Sequence, residues 1–325
     1  MMRFVITGAT GHIGNNLVRL LNEKDPEAEI ITILRRKNPK ELEGTEVTQV
    51  IGDFSDKFLE ENIKEGDIVV HLAGLIDLSN KKKEETYKIN YLLTKSITDI
   101  ALKNNAKRFI YVGSVDGIYR EGDGKIAEPE EYYPDKIEDN YGKTKAMASG
   151  YVLQKMRDNP QFNVAIVLPT AVIGINDYKP SAVGKIIASV LGGGAEFGMK
   201  GGYNFVDVED VASAIYTLCQ NDLKGQYIIS GTSVSVEKLY KAINEYKNFS
   251  KKPIIFPTWL VRLACPFVKV LNKITVKALL EPHDYTSKRA EDDFGYRATE
   301  FSITLAKTID WFENNGVKEA EKKEK

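Results

Sequence analysis

Cysteine, histidine and tryptophan are scarce in this chain of 325 residues, which holds two Cys, three His and two Trp. Cys219 and Cys265 are too few for a disulfide framework, and with His12, His71 and His283 they form no cluster with the spacing of a zinc site, so no metal is expected. A charge excess is missing too: 45 Lys and Arg face 46 Asp and Glu, a formal net charge of −1. A dedicated nucleic-acid binder carries a basic surplus or stripe, so nucleic acid is excluded as a partner. Long uncharged apolar runs are also absent. The nearest approach, 259–280, is interrupted by Arg262, Pro266, Lys269, Lys273 and Lys277; it reads as a pair of amphipathic helices and not as a membrane span. The chain runs from Met1 directly into a strand pattern, without the basic and apolar segments of a leader, and a cytoplasmic location is expected.

What is present is an ordinary globular share of hydrophobic residues, 42%, arranged as short apolar runs alternating with helix-length amphipathic segments. The strand candidates are 3–7, 29–34, 47–51, 67–72, 108–112 and 164–168, and the helix candidates between them are 13–23, 56–64, 86–104 and 141–157. Ile68-Val69-Val70 and Phe109-Ile110-Tyr111 are apolar throughout, as strands covered on both faces are. This rhythm predicts an α/β fold, a Rossmann-type doubly wound parallel sheet. After Leu168 the rhythm loosens; a helix pattern over 211–220 and a strand over 226–229 follow, and from Val236 the chain reads as mostly helical. We expect a dinucleotide-binding domain over 1–169 to which 203–230 returns, a smaller, mostly helical C-terminal substrate lobe over 170–202 and 231–316, and a charged solvated tail over 317–325.

Thr7-Gly8-Ala9-Thr10-Gly11-His12-Ile13-Gly14 lies directly after the first strand and before the first helix, the context in which a glycine-rich turn binds a dinucleotide. The first glycine allows the tight turn, the second lets backbone approach a pyrophosphate, the third lets helix and strand pack closely, and the helix start offers free N–H groups. Gly8, Thr10, Gly11, His12, Ile13 and Gly14 are the candidates. An NAD-preferring site places an acid at the end of the second strand, but here Leu34-Arg35-Arg36-Lys37 has none. The planar fork of arginine suits a 2′-phosphate, so Arg35 and Arg36 favour NADP(H), with NAD(H) the alternative. Asp53 and Phe54, past the third strand, are placed to meet the adenine; the plainer reading of this stretch is a helix cap ahead of Ser55.

Tyr141 and Lys145 are four residues apart, hence on one face of a helix. At about 6 Å and an effective dielectric of about 20 their attraction is roughly 3 kcal/mol, about two pK units off a tyrosine near 10, which would poise Tyr141 as a general acid/base. Tyr91/Lys95, Tyr132/Lys136 and Tyr151/Lys155 share the spacing, so position has to choose. Tyr141 opens its helix just after the loop leaving the fifth strand, where ligands of open α/β sheets bind. At that strand's end stands Ser114, able to hydrogen-bond a carbonyl oxygen.

These pieces, with Gly52-Asp53, His71-Leu72-Ala73-Gly74, Asn90 with Thr94, Pro169 and Phe205-Val206-Asp207-Val208-Glu209-Asp210-Val211, occur in the order that resembles the extended short-chain dehydrogenase/reductase superfamily, the NAD-dependent epimerase/dehydratase family, over nearly the whole chain. Ser114-Val115-Asp116-Gly117-Ile118 and Arg35 look closer to its dihydroflavonol reductase and hydroxysteroid dehydrogenase-like branch than to its nucleotide-sugar epimerases. The resemblance implies that Ser114 binds the reacting oxygen, that Tyr141 transfers the proton, and that Lys145 holds the nicotinamide ribose and lowers the tyrosine pKa. It gives Asn90 a helix kink and a proton relay. It places Leu72, Ala73 and Gly74 on the nicotinamide ribose side and Pro169 against the nicotinamide, and it implies a homodimer through the helices at 86–104 and 141–157. Two departures stand out. Four residues before Tyr119, where sugar-nucleotide members carry a hydroxyl, this chain has Val115, and Gly174 is followed by Ile175 where the family often has proline.

The 24 residues 116–139, expected to overhang the site, hold nine acids against three bases, a net −6, a poor neighbour for a nucleotide diphosphate. The favoured reading is an NAD(P)-dependent oxidoreductase moving hydride between cofactor and a small carbonyl or alcohol substrate, neutral or cationic. An epimerase or dehydratase acting on a sugar-type substrate, and a non-catalytic dinucleotide-binding regulator, are the alternatives.

Overall fold

Continuous apolar runs need cover on both faces, and the architecture supplies it. The computed structural model describes residues 1–77, 79–121, 124–192, 197–249, 252–264, 273–281 and 283–315; Cys265, Pro266, Lys269 and the tail expected over 317–325 lie outside them. Strands β1 (Arg3–Thr7), β2 (Glu29–Leu34), β3 (Thr48–Ile51), β4 (Ile68–His71), β5 (Arg108–Val112) and β6 (Val164–Pro169) alternate with helices α1 (His12–Lys24), α2 (Asp56–Asn62), α3 (Lys83–Thr86), α4 (Leu93–Lys103) and α5 (Asn140–Asp158). Then come β7 (Ala171–Ile173), α6 (Ala182–Leu191), β8 (Phe197–Met199), β9 (Gly202–Asp207), α7 (Val208–Gln220), β10 (Gly225–Ile229), β11 (Thr232–Ser235) and α8 (Val236–Lys247). The chain continues with β12 (Ile254–Phe256), α9 (Thr258–Ala264), α10 (Lys273–Leu280), α11 (Lys288–Phe294) and α12 (Phe301–Asn314).

The main sheet has seven strands in the order β10-β6-β5-β4-β1-β2-β3, all parallel. One face packs against Leu17, Val18 and Leu21 of α1 and Val211, Ile215 and Leu218 of α7. The other packs against Leu59 of α2, Ile97 and Ala101 of α4, and Ala148 and Val152 of α5. Strand order reverses between β1 and β4, so a crevice opens at their C-terminal ends, where ligands of such sheets bind.

The segment 203–230 divides between two sheets. β10 extends the main sheet beside β6, whereas β9 pairs with β7 in parallel and with β11 antiparallel in a separate three-stranded sheet. A third cluster joins that small sheet to α6, α8 and α12 through Ile187, Phe205, Leu239, Ile243, Ile309 and Phe312. β8 and β12 form a two-stranded parallel pair. Among the described residues no helix is long and apolar enough to cross a membrane.

Candidate active site

The turn between β1 and α1 is built for close approach. Gly8 has φ +78°, and a Cβ there would stand 2.5 Å from the Ala73 nitrogen, while one on Gly14 would meet the Gly8 carbonyl oxygen at 2.2 Å. No side chain caps α1, so its first N–H groups, at His12 and Ile13, keep no intrahelical acceptor. That cradle fits a pyrophosphate. Thr10 and Gly11 lie within the turn, and Leu72 ties the β4 end to it by donating its N–H to the Thr7 carbonyl at 3.0 Å. The His12 imidazole, by contrast, is turned toward the segment after β7, where Nε2 bonds the Ile175 oxygen at 2.9 Å, and desolvation holds its pKa below the ordinary value. Only the backbone of His12 is left for a phosphate.

The two arginines after β2 also part company. Arg36 is paired with Glu41 at 3.1 Å, because a buried carboxylate needs a counter-ion. Arg35 is exposed. Asp53 is exposed and accepts from the Ser55 N–H at 2.9 Å, which keeps its carboxyl below the usual range. Ser55 itself caps α2 by accepting from the Phe58 N–H. Phe54 lies between them with φ +60°.

Ser114 and Tyr141 meet because a tight turn after β5 presses on the start of α5. A Cβ on Gly117 would stand 2.9 Å from the Ala146 nitrogen, and Asp139 caps α5 by accepting from the Gly142 N–H at 2.7 Å. Both side chains are buried, at 7% exposure each, and Ser114 is close enough to Tyr141 to favour its phenolate slightly. Lys145 donates to the Val112 carbonyl at 3.0 Å and lies 5.2 Å over the Tyr111 ring. Burial lowers its pKa to about 8. The anticipated easing of Tyr141 toward its phenolate is corrected here. Burial, and next the Asp116 carboxylate, push its hydroxyl well above the ordinary value, because desolvation opposes any charge in this pocket and a carboxylate opposes a second negative one.

Asn90 sits at 0% exposure in a single π-helical turn, Tyr87–Leu92, between α3 and α4. It accepts from the Leu75 N–H at 2.7 Å and donates to the Leu75 oxygen at 3.0 Å and to Thr144 Oγ1 at 3.1 Å. So it ties the loop that carries Ala73 and Gly74 to α5. A Cβ on Gly74 would be 3.5 Å from Lys145 Nζ. Behind it, Thr94 donates its proton to the Asn90 oxygen, so His71 Nε2 must donate to Thr94 and His71 Nδ1 must accept from Thr7. Burial, then Lys145, lower the His71 pKa to about 3; it is a neutral brace. Pro169 closes β6 opposite Ile229.

The competing tyrosines are occupied elsewhere. Tyr151 bonds Asp99, which Lys155 and Lys95 also hold. Tyr132 donates to Gln226 at 2.5 Å, and Tyr91 packs between Tyr87 and Tyr151.

A ring of side chains around Ser114 escaped the reading of the sequence. Ser114 donates to Asp116 Oδ2 at 3.3 Å, Arg120 bonds Asp116 and Glu281, and its guanidinium lies 5.5 Å over Tyr285. His283 stands between Tyr203 and Tyr285. The run Glu281-Pro282-His283-Asp284-Tyr285, polar and aromatic directly after an apolar stretch, was the available signal. The acidic segment 116–139 is also not one overhanging lid. Glu128 accepts from the Ile228 N–H at 2.7 Å and Gln226 bonds the Pro129 oxygen, so 126–132 run along β10, an edge strand with unpaired backbone to satisfy.

Comparison with known proteins follows the same lines. The family model described as NAD dependent epimerase/dehydratase family matches residues 4–230. "Putative dihydroflavonol 4-reductase" of a Synechocystis species is 26% identical over 329 residues, covering 96% of this chain and 95% of that one. "Sterol demethylase protein B" of Methylococcus capsulatus is 23% identical over 331 residues, covering 97% and 100%. Among solved structures, the Bordetella bronchiseptica enzyme WbmH in complex with NAD+ shares the fold, with a TM-score of 0.76 at 21% identity, covering 97% of this chain and 100% of that one.

Proposed function

This chain belongs to the NAD dependent epimerase/dehydratase family and is an NAD(P)-dependent oxidoreductase, and on that premise we propose that it reduces the carbonyl group of a small neutral molecule with NADPH. The carrying observation is the convergence of Ser114, Tyr141 and Lys145 at the C-terminal ends of β4 and β5, beside the glycine turn. The nicotinamide, when bound, supplies the hydride. In this reading Ser114 gives up its long bond to Asp116 and hydrogen-bonds the substrate oxygen. Tyr141, kept protonated by burial and by Asp116, donates the proton to that oxygen as general acid. Lys145 holds the ribose, and Asn90 fixes the loop against it. The cofactor would be held by Gly8, Thr10, Gly11, Gly14 and the backbone of His12 and Ile13, by Asp53 and Phe54 on the adenine side, and by Leu72, Ala73, Gly74 and Pro169 toward the nicotinamide. Arg35 supports NADP(H). A cytoplasmic homodimer using α4 and α5, with 170–202 and 231–316 as substrate lobe, completes the proposal.

The missing hydroxyl at Val115, and the net negative charge of Asp116 and Glu281 about a single Arg120, argue against a nucleotide sugar. NADPH oxidation measured with a panel of neutral ketones and aldehydes, beside UDP- and dTDP-sugars, tests this. Turnover of the carbonyl compounds is expected. Turnover of the nucleotide sugars alone, by enzyme that purifies with tightly held NAD+, would assign the epimerase chemistry instead.

A further inference from the structure

The loop after β2 carries a carboxylate with no part in the chemistry above. Glu41 is 1% exposed and faces two cations: Arg36 Nη2 lies 3.1 Å from Oε1 and 3.3 Å from Oε2, and Lys179 Nζ lies 2.8 Å from Oε1. Arg36 follows β2. Lys179 belongs to the segment between β7 and α6, the same segment that clasps α1 through His12 to the Ile175 oxygen and Asn15 to the Asn176 oxygen. Arg19 bonds the Glu41 and Glu43 carbonyls, so the backbone under the carboxylate is fixed. The cations, however, are 63% and 61% exposed and able to swing. Desolvation opposes ionisation of Glu41, but the bond and charge of Lys179, with the charge of Arg36, outweigh it and keep the carboxyl below its ordinary value.

We propose that Lys179, outside the dinucleotide site, is a positioning residue that sets selectivity for the 2′-phosphorylated dinucleotide by sharing the Glu41 carboxylate with Arg36. With Lys179 in place, Arg36 turns from Glu41 to a 2′-phosphate while the carboxylate keeps a counter-ion. Without it, Arg36 is the principal partner of a buried charge and stays there, because stripping such a charge is strongly penalised. The 2′-phosphate thereby leaves Lys179 as the main holder of Glu41 and braces the first segment of the substrate lobe. This inference rests on the NADP(H) reading and deepens it.

Equilibrium titration of the whole chain with NADP+ and with NAD+ tests it. Lys179→Met is expected to weaken NADP+ by about tenfold and to leave NAD+ within about twofold. It keeps the aliphatic stem at an exposed position, so its folding is not in question. Glu41→Gln is expected to tighten NADP+ by freeing Arg36, and in the Glu41→Gln background Lys179→Met is expected to have no further effect. A general structural role for Lys179 would move both dinucleotides alike, and a direct attraction between Lys179 and the phosphate would persist in the double variant; either result overturns the inference. If the NADP+ to NAD+ ratio ignores Lys179→Met but collapses in Arg35→Ala, the inference alone falls. If wild type binds the two dinucleotides equally and Arg35→Ala changes nothing, the cofactor reading falls with it.

Discussion

At 5% exposure, with a backbone carbonyl as its hydrogen-bond partner, Lys145 is costly to the fold, and that cost is measurable. Its pKa falls from 10.5 to about 8 on burial. Below pH 8 both folded and unfolded chains hold the proton, so the penalty, about 3 kcal/mol, is fully present. Between pH 8 and 10.5 the unfolded chain binds more protons than the folded one, and the penalty fades. Lys145→Met is therefore expected to be more stable than wild type by about 1–3 kcal/mol at pH 7 in urea unfolding, the lost bond to Val112 offsetting part of the gain. That advantage should shrink toward pH 10, and turnover should be lost. Tyr141→Phe should lower kcat by about two to four powers of ten while leaving dinucleotide affinity intact, as titration would show. Position along the chain singles out Tyr141 and Lys145 from four equally spaced pairs, and the other three tyrosines are engaged elsewhere. It could not give the sign of the tyrosine's shift, because that depends on how deeply the hydroxyl is buried and on Asp116, whose approach to Ser114 is a matter of one tight turn.

The π-helical turn Tyr87–Leu92 turns one residue into a strut. An extra residue per turn swings Asn90 out of helical register, and its amide then meets both polar groups of Leu75 and the Thr144 hydroxyl, a bulge of the kind that gathers at functional sites. Asn90→Ala would leave the Leu75 N–H and carbonyl unpaired beside Lys145. The expected outcome is a loss of about 2 kcal/mol in denaturant unfolding and a fall in kcat larger than any change in dinucleotide affinity. The sequence marked this helix through its apolar period, but a π turn leaves no periodic trace, since one slipped residue is within the tolerance of any amphipathic pattern. The same contrast runs through the strands. β1, β5 and β6 stand out because Phe4, Phe109 and Ile166 belong to continuous apolar runs. β7, β8, β11 and β12 are short, and each finds its partner through contacts distant in sequence, as Ala171 does with Phe205 and Ile254 with Phe197, so only the folded chain reveals them.

A parallel sheet has two unlike ends, and this molecule separates chemistry from anchorage along that axis. Ser114, the glycine turn and the Ala73–Gly74 loop crowd the C-terminal ends of the strands. At the N-terminal ends stand an ion pair and a clamp: Arg3 bonds Asp67 at 2.6 Å, and Arg108, 2% exposed, donates from Nε to the Leu218 oxygen at 2.8 Å and reaches Asn163 and the Leu223 carbonyl as well. Leu218 lies in the last turn of α7, whose final carbonyls have no helical partner, and a cation there also opposes the negative end of the helix dipole. One side chain thus binds the start of β5, the approach to β6 and the end of α7. Arg108→Met keeps the stem's packing but strands those acceptors, and should cost about 2–4 kcal/mol in denaturant unfolding. Under conditions where the variant remains folded, kcat/KM should equal that of wild type, because the reacting end of the sheet is the opposite one. A fall in kcat/KM without a fall in stability would mean that the two ends are coupled through β5, and the division of labour along the strands would have to be abandoned.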